Sequence, residues 1–160
     1  MIDLPKGWLI TTLGEVVDYA ETHQVSPKAI PPGAWLLELE DIERDSSELL
    51  NRRTAREVSP KSSKNKFNSG DILYGKLRPY LNKVIIATED GFCSSEIIPI
   101  APGLLDRNYL FYFLKSPDFR DYVNRVSHGM RMPRLGTLQA KAAPFILPPR
   151  LEQTRIAKKN

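Results

Sequence analysis

Residues 68–77 read Asn-Ser-Gly-Asp-Ile-Leu-Tyr-Gly-Lys-Leu, a turn signal followed by an alternating apolar pattern. Asn-Ser-Gly favours a turn, and the alternation from Asp71 to Leu77 is typical of a half-buried β-strand. A β-branched apolar run, Lys83–Ala87, and another apolar segment, Ser95–Ile100, follow at close spacing. Together they predict three strands of an antiparallel meander in the middle of the chain.

The segments before this region give weaker signals. Trp35-Leu-Leu-Glu-Leu predicts a strand, whereas residues 22–34 contain Ser-Pro and Pro-Pro-Gly and predict a loop. Leu49–Val58 suits a second strand or an exposed helix, because its arginines fit either. The apolar residues between Trp8 and Tyr19 indicate a short helix or the start of a strand.

Helices are predicted on the C-terminal side. Asp106 can cap a helix with an apolar stripe between Tyr109 and Leu114, and Ser116 followed by Pro117 begins a second helix. Ala143–Leu147 predicts one more strand before Pro148-Pro149.

The sequence therefore predicts an α+β fold: a twisted, mostly antiparallel sheet with flanking helices near residues 107–126. The last residues, Leu151-Glu-Gln-Thr-Arg-Ile-Ala-Lys-Lys, have strong helix propensity. We expect them to be the root of a longer helix that leaves the body of the domain.

Composition indicates one globular domain. The chain has 160 residues, of which 41% are hydrophobic and 26% charged. No run approaches the roughly 18–20 apolar residues that a membrane span needs, and the first residues, with Asp3, do not resemble a signal peptide. Cys93 is the single cysteine, which excludes an intrachain disulfide and a Cys-rich zinc site. We expect a cytoplasmic protein with no membrane partner.

Charges are segregated along the chain. Six cations and one acid lie between Lys61 and Lys83, whereas seven acids and four arginines lie between Trp35 and Glu57. This pattern predicts a basic face and an acidic face. The net charge of +4 is compatible with a nucleic-acid partner but does not establish one.

Catalytic motifs are missing from the sequence. It contains no G-x-G-x-x-G or G-x-x-x-x-G-K-S/T loop and no Asn/Asp-Pro-Pro-aromatic tetrad of amino-methylating enzymes. His23 and His128 lack metal-ligand spacing, and Cys93 has no nearby histidine, so a buried strand thiol is expected. The sequence predicts a non-enzyme with no catalytic residue, metal site or cofactor.

One catalytic alternative stays open. Asp71, Glu96 and nearby lysines loosely match the carboxylate-and-lysine arrangement of metal-dependent nucleases. The simpler interpretation is that Asp71, which follows a glycine, caps a turn.

Three basic clusters are candidate DNA contacts. Residues 61–67 form a predicted loop of cations and small hydrogen-bonding residues, which suit phosphate oxygens. Side chains two apart in residues 76–82 share one face if the strand persists, and arginine and asparagine there can bind guanine and adenine edges. Residues 128–134 carry arginines on a Gly- and Pro-shaped loop. The predicted DNA-binding residues are Lys61, Lys64, Lys66, Lys76, Arg78, Tyr80, Asn82, Lys83, Arg131 and Arg134. Taken singly, each cluster would also fit an ordinary solvated loop.

The order of segments resembles the N-terminal target-recognition domain of type I restriction-modification specificity subunits. The resemblance spans nearly the whole chain. The matching blocks are Leu4-Pro-x-Gly-Trp, Leu37–Ile42, Phe67-x-x-Gly-Asp-Ile-Leu-Tyr-Gly-Lys-Leu-Arg-Pro-Tyr, Cys93-Ser-Ser-Glu, Tyr109–Leu114 and Leu147-Pro-Pro-x-Leu-Glu-Gln-x-Arg-Ile.

The resemblance implies separate roles for the domains and subunits of a larger complex. Members of this family carry two such domains, separated by long helices that form a spacer, and each domain reads one half of a split sequence in double-stranded DNA. Methyltransferase subunits dock on the assembly, and a restriction and translocase subunit cuts. The resemblance implies residues 1–149 as the recognition domain and 150–160 as the beginning of the spacer. The missing half is expected from a second recognition domain or from a homodimer partner.

Function is predicted accordingly. The resemblance implies sequence-specific recognition of half of a bipartite DNA target for a type I restriction-modification complex. The base-contacting residues named above rest on side-chain chemistry, because no family motif identifies them. The alternative is a protein-interaction module that docks a partner through its C-terminal helix without reading DNA.

Overall fold

The computed structural model describes residues 3–159 and confirms the α+β class. The strands are β1 (Leu9–Thr12), β2 (His23–Val25), β3 (Trp35–Leu37), β4 (Arg53–Thr54), β5 (Lys64–Phe67), β6 (Ile72–Gly75), β7 (Val84–Ile86), β8 (Gly91–Cys93), β9 (Ile97–Ile100) and β10 (Pro144–Leu147). The helices are α1 (Leu13–Val16), α2 (Ala55–Val58), α3 (Arg107–Lys115), α4 (Pro117–Val126), α5 (Thr137–Lys141) and α6 (Arg150–Lys158). No helix in this described range is long and apolar enough to cross a membrane.

The strands form three small sheets. One has the order β2-β5-β8-β3-β4, a second has the order β7-β6-β9, and β1 pairs with β10. All of these pairs are antiparallel except β3 with β8. The sheets are therefore mostly antiparallel, as the sequence predicts.

The β7-β6-β9 sheet is buried on both faces. On β6, the side chains of Ile72 and Tyr74 enter the core formed with helices α3 and α4, whereas Leu73 enters a second core with Trp35 and Phe67 of the five-stranded sheet. Successive side chains of a strand point to opposite faces, so one strand serves two cores. The result is a layered domain with helices, a central sheet and an outer sheet.

Glycines shape both ends of β6. Gly70, with φ of +91°, forms the turn before the strand, a conformation that other residues adopt only with strain. Gly75 ends the strand, and a Cβ there would lie 2.9 Å from Leu39 Cδ2 and 3.2 Å from the Lys83 carbonyl oxygen. Close packing of two neighbouring segments therefore requires glycine at this position.

Both predicted helix starts are confirmed. The carboxylate of Asp106 accepts from the Tyr109 amide at 3.0 Å and caps α3. The Ser116 hydroxyl accepts from the Phe119 amide at 3.2 Å, with Pro117 in the first turn of α4. Each side chain satisfies an amide that would otherwise lack an intrahelical partner.

Helix α6 is attached to the N-terminus of α3 by a polar joint. The buried Gln153 amide accepts from the Asp106 backbone N–H and donates to the Pro148 carbonyl, both at 2.9 Å. Asp106 also accepts from Thr154 at 3.0 Å and pairs with Arg150 at 3.2 Å. Partial burial alone would raise the pKa of Asp106, but these hydrogen bonds and the nearby cation lower it below its ordinary value.

Several local predictions are wrong. The central strands are not a meander, because β8 lies between β7 and β9 in sequence but pairs in the five-stranded sheet, and β9 pairs with β6. Residues 22–34 include strand β2, and the predicted loop at 61–67 includes strand β5. Leu49–Val58 contains both a two-residue strand and a helical turn.

Candidate nucleic-acid interface

Connections from both larger sheets emerge at one edge. Strand β6 ends at Gly75, which pairs with Ile97 at the start of β9. Strand β8 ends at Cys93, which pairs with Asn65 near the start of β5. The Asn65 side-chain amide donates to the Ile97 carbonyl at 3.0 Å and joins the two sheets there. The segments that leave these strand ends, together with a fourth segment that contacts them, are called the loop edge: residues 61–63, 76–83, 94–96 and 128–134.

Backbone hydrogen bonds hold three of these segments together. The Arg78 N–H donates to the Pro133 carbonyl at 2.7 Å, and the Leu135 N–H donates to the Lys76 carbonyl at 2.9 Å. The Lys76 N–H donates to the Glu96 carbonyl at 2.9 Å. Two basic clusters that are far apart in sequence are thereby brought to one surface.

A forked ion pair fixes the 128–134 segment. The Arg134 guanidinium donates to both carboxylate oxygens of Glu96 at 2.8–3.0 Å, with side chains 53% and 23% exposed. Hydrogen bonding to this carboxylate raises the pKa of Arg134 above its ordinary value. Arginine matches a carboxylate in this planar, two-bond geometry, so the pair orients the segment as well as neutralising Glu96.

Residues 76–83 have an unusual backbone. A single 3-10 turn, Pro79–Leu81, lies between two residues in the left-handed region, Arg78 with φ of 50° and Asn82 with φ of 54°. The Leu81 carbonyl accepts from the Asp45 N–H at 3.1 Å, and Asp45 pairs with Arg120 of α4 at 2.8 Å. The turn is therefore supported by the segment around Asp45 as well as by residues 128–134. Such non-glycine conformations persist only where surrounding contacts impose them.

Because Asn82 has a left-handed backbone, glycine is expected to be more stable there than alanine, the reverse of their order inside a helix. We expect Asn82→Ala to be less stable than Asn82→Gly by about 1 kcal/mol, because only the alanine has a Cβ that disfavours positive φ. Both variants lose the asparagine side chain, so their difference isolates the backbone. Urea denaturation gives the two free energies of unfolding.

Asn124 provides the matched control, since it is an exposed asparagine inside helix α4. There alanine is expected to be more stable than glycine by about 1 kcal/mol. The same order at both positions would contradict the assigned role of the Asn82 backbone.

The loop edge is cationic. Its residues include six cations, Lys61, Lys76, Arg78, Lys83, Arg131 and Arg134, against one carboxylate, Glu96. Among the residues described, no ion pair involves Lys61, Lys76, Arg78 or Arg131. Their charges are therefore available to an anionic partner such as a phosphate backbone.

Besides Arg134, three further predicted contacts are already engaged or buried within the protein. Lys64 is buried on β5, with its side chain 8% exposed and its ammonium 2.8 Å from Glu38. Lys83 donates to the Leu39 carbonyl at 2.8 Å, and burial lowers its pKa. Asn82 is buried at the end of the 3-10 turn. The assumption that the strand persists through residues 76–82 is wrong, because β6 ends at Gly75.

The remaining predicted residues are accessible to different degrees. Lys61 lies exposed before β5, and Lys66 is exposed on β5 opposite His23. Tyr80 on the 3-10 turn is exposed, and Arg131 lies at the exposed tip of its loop. Fewer residues are therefore exposed and free to contact DNA than the ten that the sequence predicts. Sequence reasoning did not identify Glu96 as the anchor of Arg134.

The acidic segment and the basic cluster 61–83 meet at two places in the fold. The acidic segment 35–57 borders the loop edge, through the Lys64–Glu38 pair and the contact between Asp45 and Leu81. Pairing with Arg53 also engages Glu40 and Asp41. Among the described residues, Lys64 is the one cation of the basic cluster 61–83 that forms an ion pair with this acidic segment, so the other cations of the cluster keep their charge.

The nuclease arrangement is not supported by the geometry. Asp71 precedes Ile72 at one end of β6, and Glu96 lies beyond the other end, next to the pairing of Gly75 with Ile97. The Asp71 carboxylate accepts from the Asn68 N–H at 2.9 Å, as a turn residue does. The two carboxylates do not converge on one metal ion, and no cluster of metal-ligating residues occurs within positions 3–159.

An apolar groove of about 670 Å³ lies elsewhere, between α3, α4, β1, β10 and α6. Its lining includes Tyr109, Tyr112, Phe113, Tyr122 and Ile146. The aromatic lining contrasts with the polar, cationic loop edge, so the groove is the poorer candidate for phosphate contact.

The chain belongs to the type I restriction modification DNA specificity domain family, whose sequence model matches residues 5–159. A curated relative, the type I restriction enzyme EcoDI specificity subunit of Escherichia coli, is 30% identical over 156 residues. That alignment covers 98% of this chain and 34% of the relative, so the chain spans about a third of the length of that subunit.

Solved structures share the fold. A chain from a structure on complex assembly and conformational transition of the type I R-M system superposes with a TM-score of 0.83 at 19% identity, covering 99% of this chain and 42% of that one. The HsdS subunit from Thermoanaerobacter tengcongensis gives a TM-score of 0.80 at 21% identity, with 99% and 42% covered. The S subunit from M. genitalium gives 0.60 at 18% identity, with 99% and 40% covered.

Proposed function

We propose that this domain recognises DNA by sequence and reads one half of a bipartite target for a type I restriction-modification complex. The loop edge carries the proposal, because cations from separate segments are held on one surface by backbone hydrogen bonds. Fixed loops reduce the ordering that binding would otherwise require.

The accessible cations have distinct roles in this proposal. Lys61, Lys76 and Arg78 contact phosphates and set the register of the domain on the duplex. Arg131 approaches base edges, because it lies in the exposed middle of its loop and forms no ion pair among the described residues. Arg134 is held by Glu96 and positions that loop.

Partners follow from the family. We propose that the subunit binds double-stranded DNA, methyltransferase subunits and, through the complex, the restriction and translocase subunit, and that it works in the cytoplasm without a membrane partner. Residues 1–149 form the recognition domain, and residues 150–160 begin the spacer, of which α6 is the described part. The other half of the target is read by a second recognition domain or a second copy. The domain contributes no catalytic residue or cofactor of its own.

Salt dependence and methylation mapping test this function together. The full-length subunit, assembled with its methyltransferase subunits, is expected to methylate a defined split sequence in genomic DNA. If about six phosphates are contacted, the logarithm of affinity falls with the logarithm of salt concentration with a slope near −5. A slope near zero, or methylation without sequence preference, would contradict the proposal.

The groove beside α6 favours a second candidate function, docking of a protein partner. Its apolar lining includes Ile156 of α6. Partner binding that is insensitive to salt, with no DNA binding by the complex, would support this function in place of DNA recognition.

A further inference from the structure

The tip of the 128–134 loop carries two exposed methionines. Met130 is 52% exposed and Met132 is 48% exposed, and Arg131 lies between them. Large apolar side chains in water are not unusual singly. Here two of them occur on a loop that also belongs to the cationic loop edge.

The two ends of this loop are fixed. At the N-terminal end, the Ser127 hydroxyl donates to the Val123 carbonyl at 2.7 Å, and the Met130 N–H donates to the Ser127 carbonyl at 3.3 Å. At the C-terminal end, Pro133 accepts from Arg78 and Arg134 is paired with Glu96. The two methionines therefore lie on a loop whose ends are held by hydrogen bonds and by the Arg134–Glu96 ion pair.

The chemistry of duplex DNA limits what such side chains can contact. Base edges in the grooves are lined with donors and acceptors, and the apolar group among them is the C5-methyl of thymine in the major groove. Methionine is unbranched and polarizable, so it adapts to a methyl group without a fixed geometry. Arg131, between the two methionines, supplies a cation and a hydrogen-bonding fork on the same loop.

We propose that Met130 and Met132 are specificity-determining residues that contact thymine methyl groups in the recognised half-site. The inference rests on the proposed function, because it requires that the loop edge faces DNA. The methionines then discriminate between bases together with Arg131, and the other cations of the loop edge supply general affinity.

The first test replaces both methionines in the full-length subunit assembled with its methyltransferase subunits. The double variant Met130→Gln/Met132→Gln keeps side-chain length but removes apolar contact. We expect its preference for target over unrelated duplex to fall about 10- to 100-fold, with non-specific affinity and salt slope unchanged. The control Met130→Leu/Met132→Leu is expected to retain most of the preference.

The second test replaces single thymines of the mapped half-site by uracil, which lacks only the methyl group. The unmodified protein is expected to lose about 3- to 10-fold in affinity at one or two of these positions, whereas the glutamine variant loses nothing further there. Equal losses in both proteins, undiminished discrimination by the glutamine variant, or a half-site without thymine would each overturn the proposal. If the unmodified complex itself has no sequence preference, the proposed function fails, and this inference fails with it.

Discussion

The triple variant Lys61→Gln/Lys76→Gln/Arg78→Gln, which removes the three proposed phosphate contacts, is expected to bind target DNA on the order of 10²-fold more weakly at 0.15 M salt. Each phosphate contact contributes about 0.9 to the salt slope, which corresponds to about fivefold in affinity between 1 M and 0.15 M salt. Loss of three contacts therefore also makes the slope less steep by about 2.7. Fluorescence anisotropy of the assembled subunit across a salt series measures both quantities.

The control removes the same number of charges outside the loop edge. Lys6, Arg107 and Lys141 are exposed cations on other parts of the domain, and their replacement by glutamine lowers the net charge equally. We expect this variant to change affinity by only a few fold and to keep the slope of the unmodified protein. Equal effects of the two triple variants would show that binding follows net charge and not the loop edge.

Local structure was predictable where chemistry between near neighbours decides it. The pattern after the Asn68–Gly70 turn predicted strand β6, although the strand is buried on both faces and not half-buried as predicted. The capping side chains Asp106 and Ser116 predicted the starts of α3 and α4. These signals depend on backbone geometry over a few residues, so the sequence contains them directly. The mixed α+β class follows from such elements.

Pairing between distant segments was not predictable from the same patterns. Lys64 reads as a loop cation, but Glu38 lies 26 residues earlier, and only the fold brings the two charges together. The order of strands likewise depends on which buried faces pack against each other. Nothing in the sequence around β8 and β9 indicates that these two strands belong to different sheets.

At the candidate interface, too, residue types were predictable from the sequence and contacts between distant segments were not. Side-chain chemistry identifies arginine and lysine as phosphate ligands. It does not show which of these side chains are already paired within the protein. Arg131 and Arg134 look equivalent in sequence, whereas in the structure Arg134 is forked onto Glu96 and Arg131 has no ion pair among residues 3–159. Accessibility therefore had to come from the fold.

Gln153→Leu is expected to weaken the joint between α3 and α6 by about 2–4 kcal/mol. Leucine has a similar volume, but it leaves the Asp106 N–H and the Pro148 carbonyl without their side-chain partner in a buried site. An unsatisfied buried group costs about 1–3 kcal/mol. Hydrogen–deuterium exchange of the assembled subunit should show amides of α6 and the first turn of α3 exchanging roughly 30- to 1000-fold faster, if they exchange by local opening.

Arg150→Gln is the matched control at the same joint. It removes the solvent-exposed guanidinium that pairs with Asp106 and donates to Thr154, and it leaves Gln153 in place. Such surface pairs contribute at most about 1 kcal/mol, so exchange should change by less than about fivefold. If both variants accelerate exchange equally, the joint depends on charge and the buried amide is not its main element. If only Gln153→Leu does so, the direction in which α6 leaves the domain is set by two hydrogen bonds from one side chain, and the glutamine is needed because it can donate and accept at once.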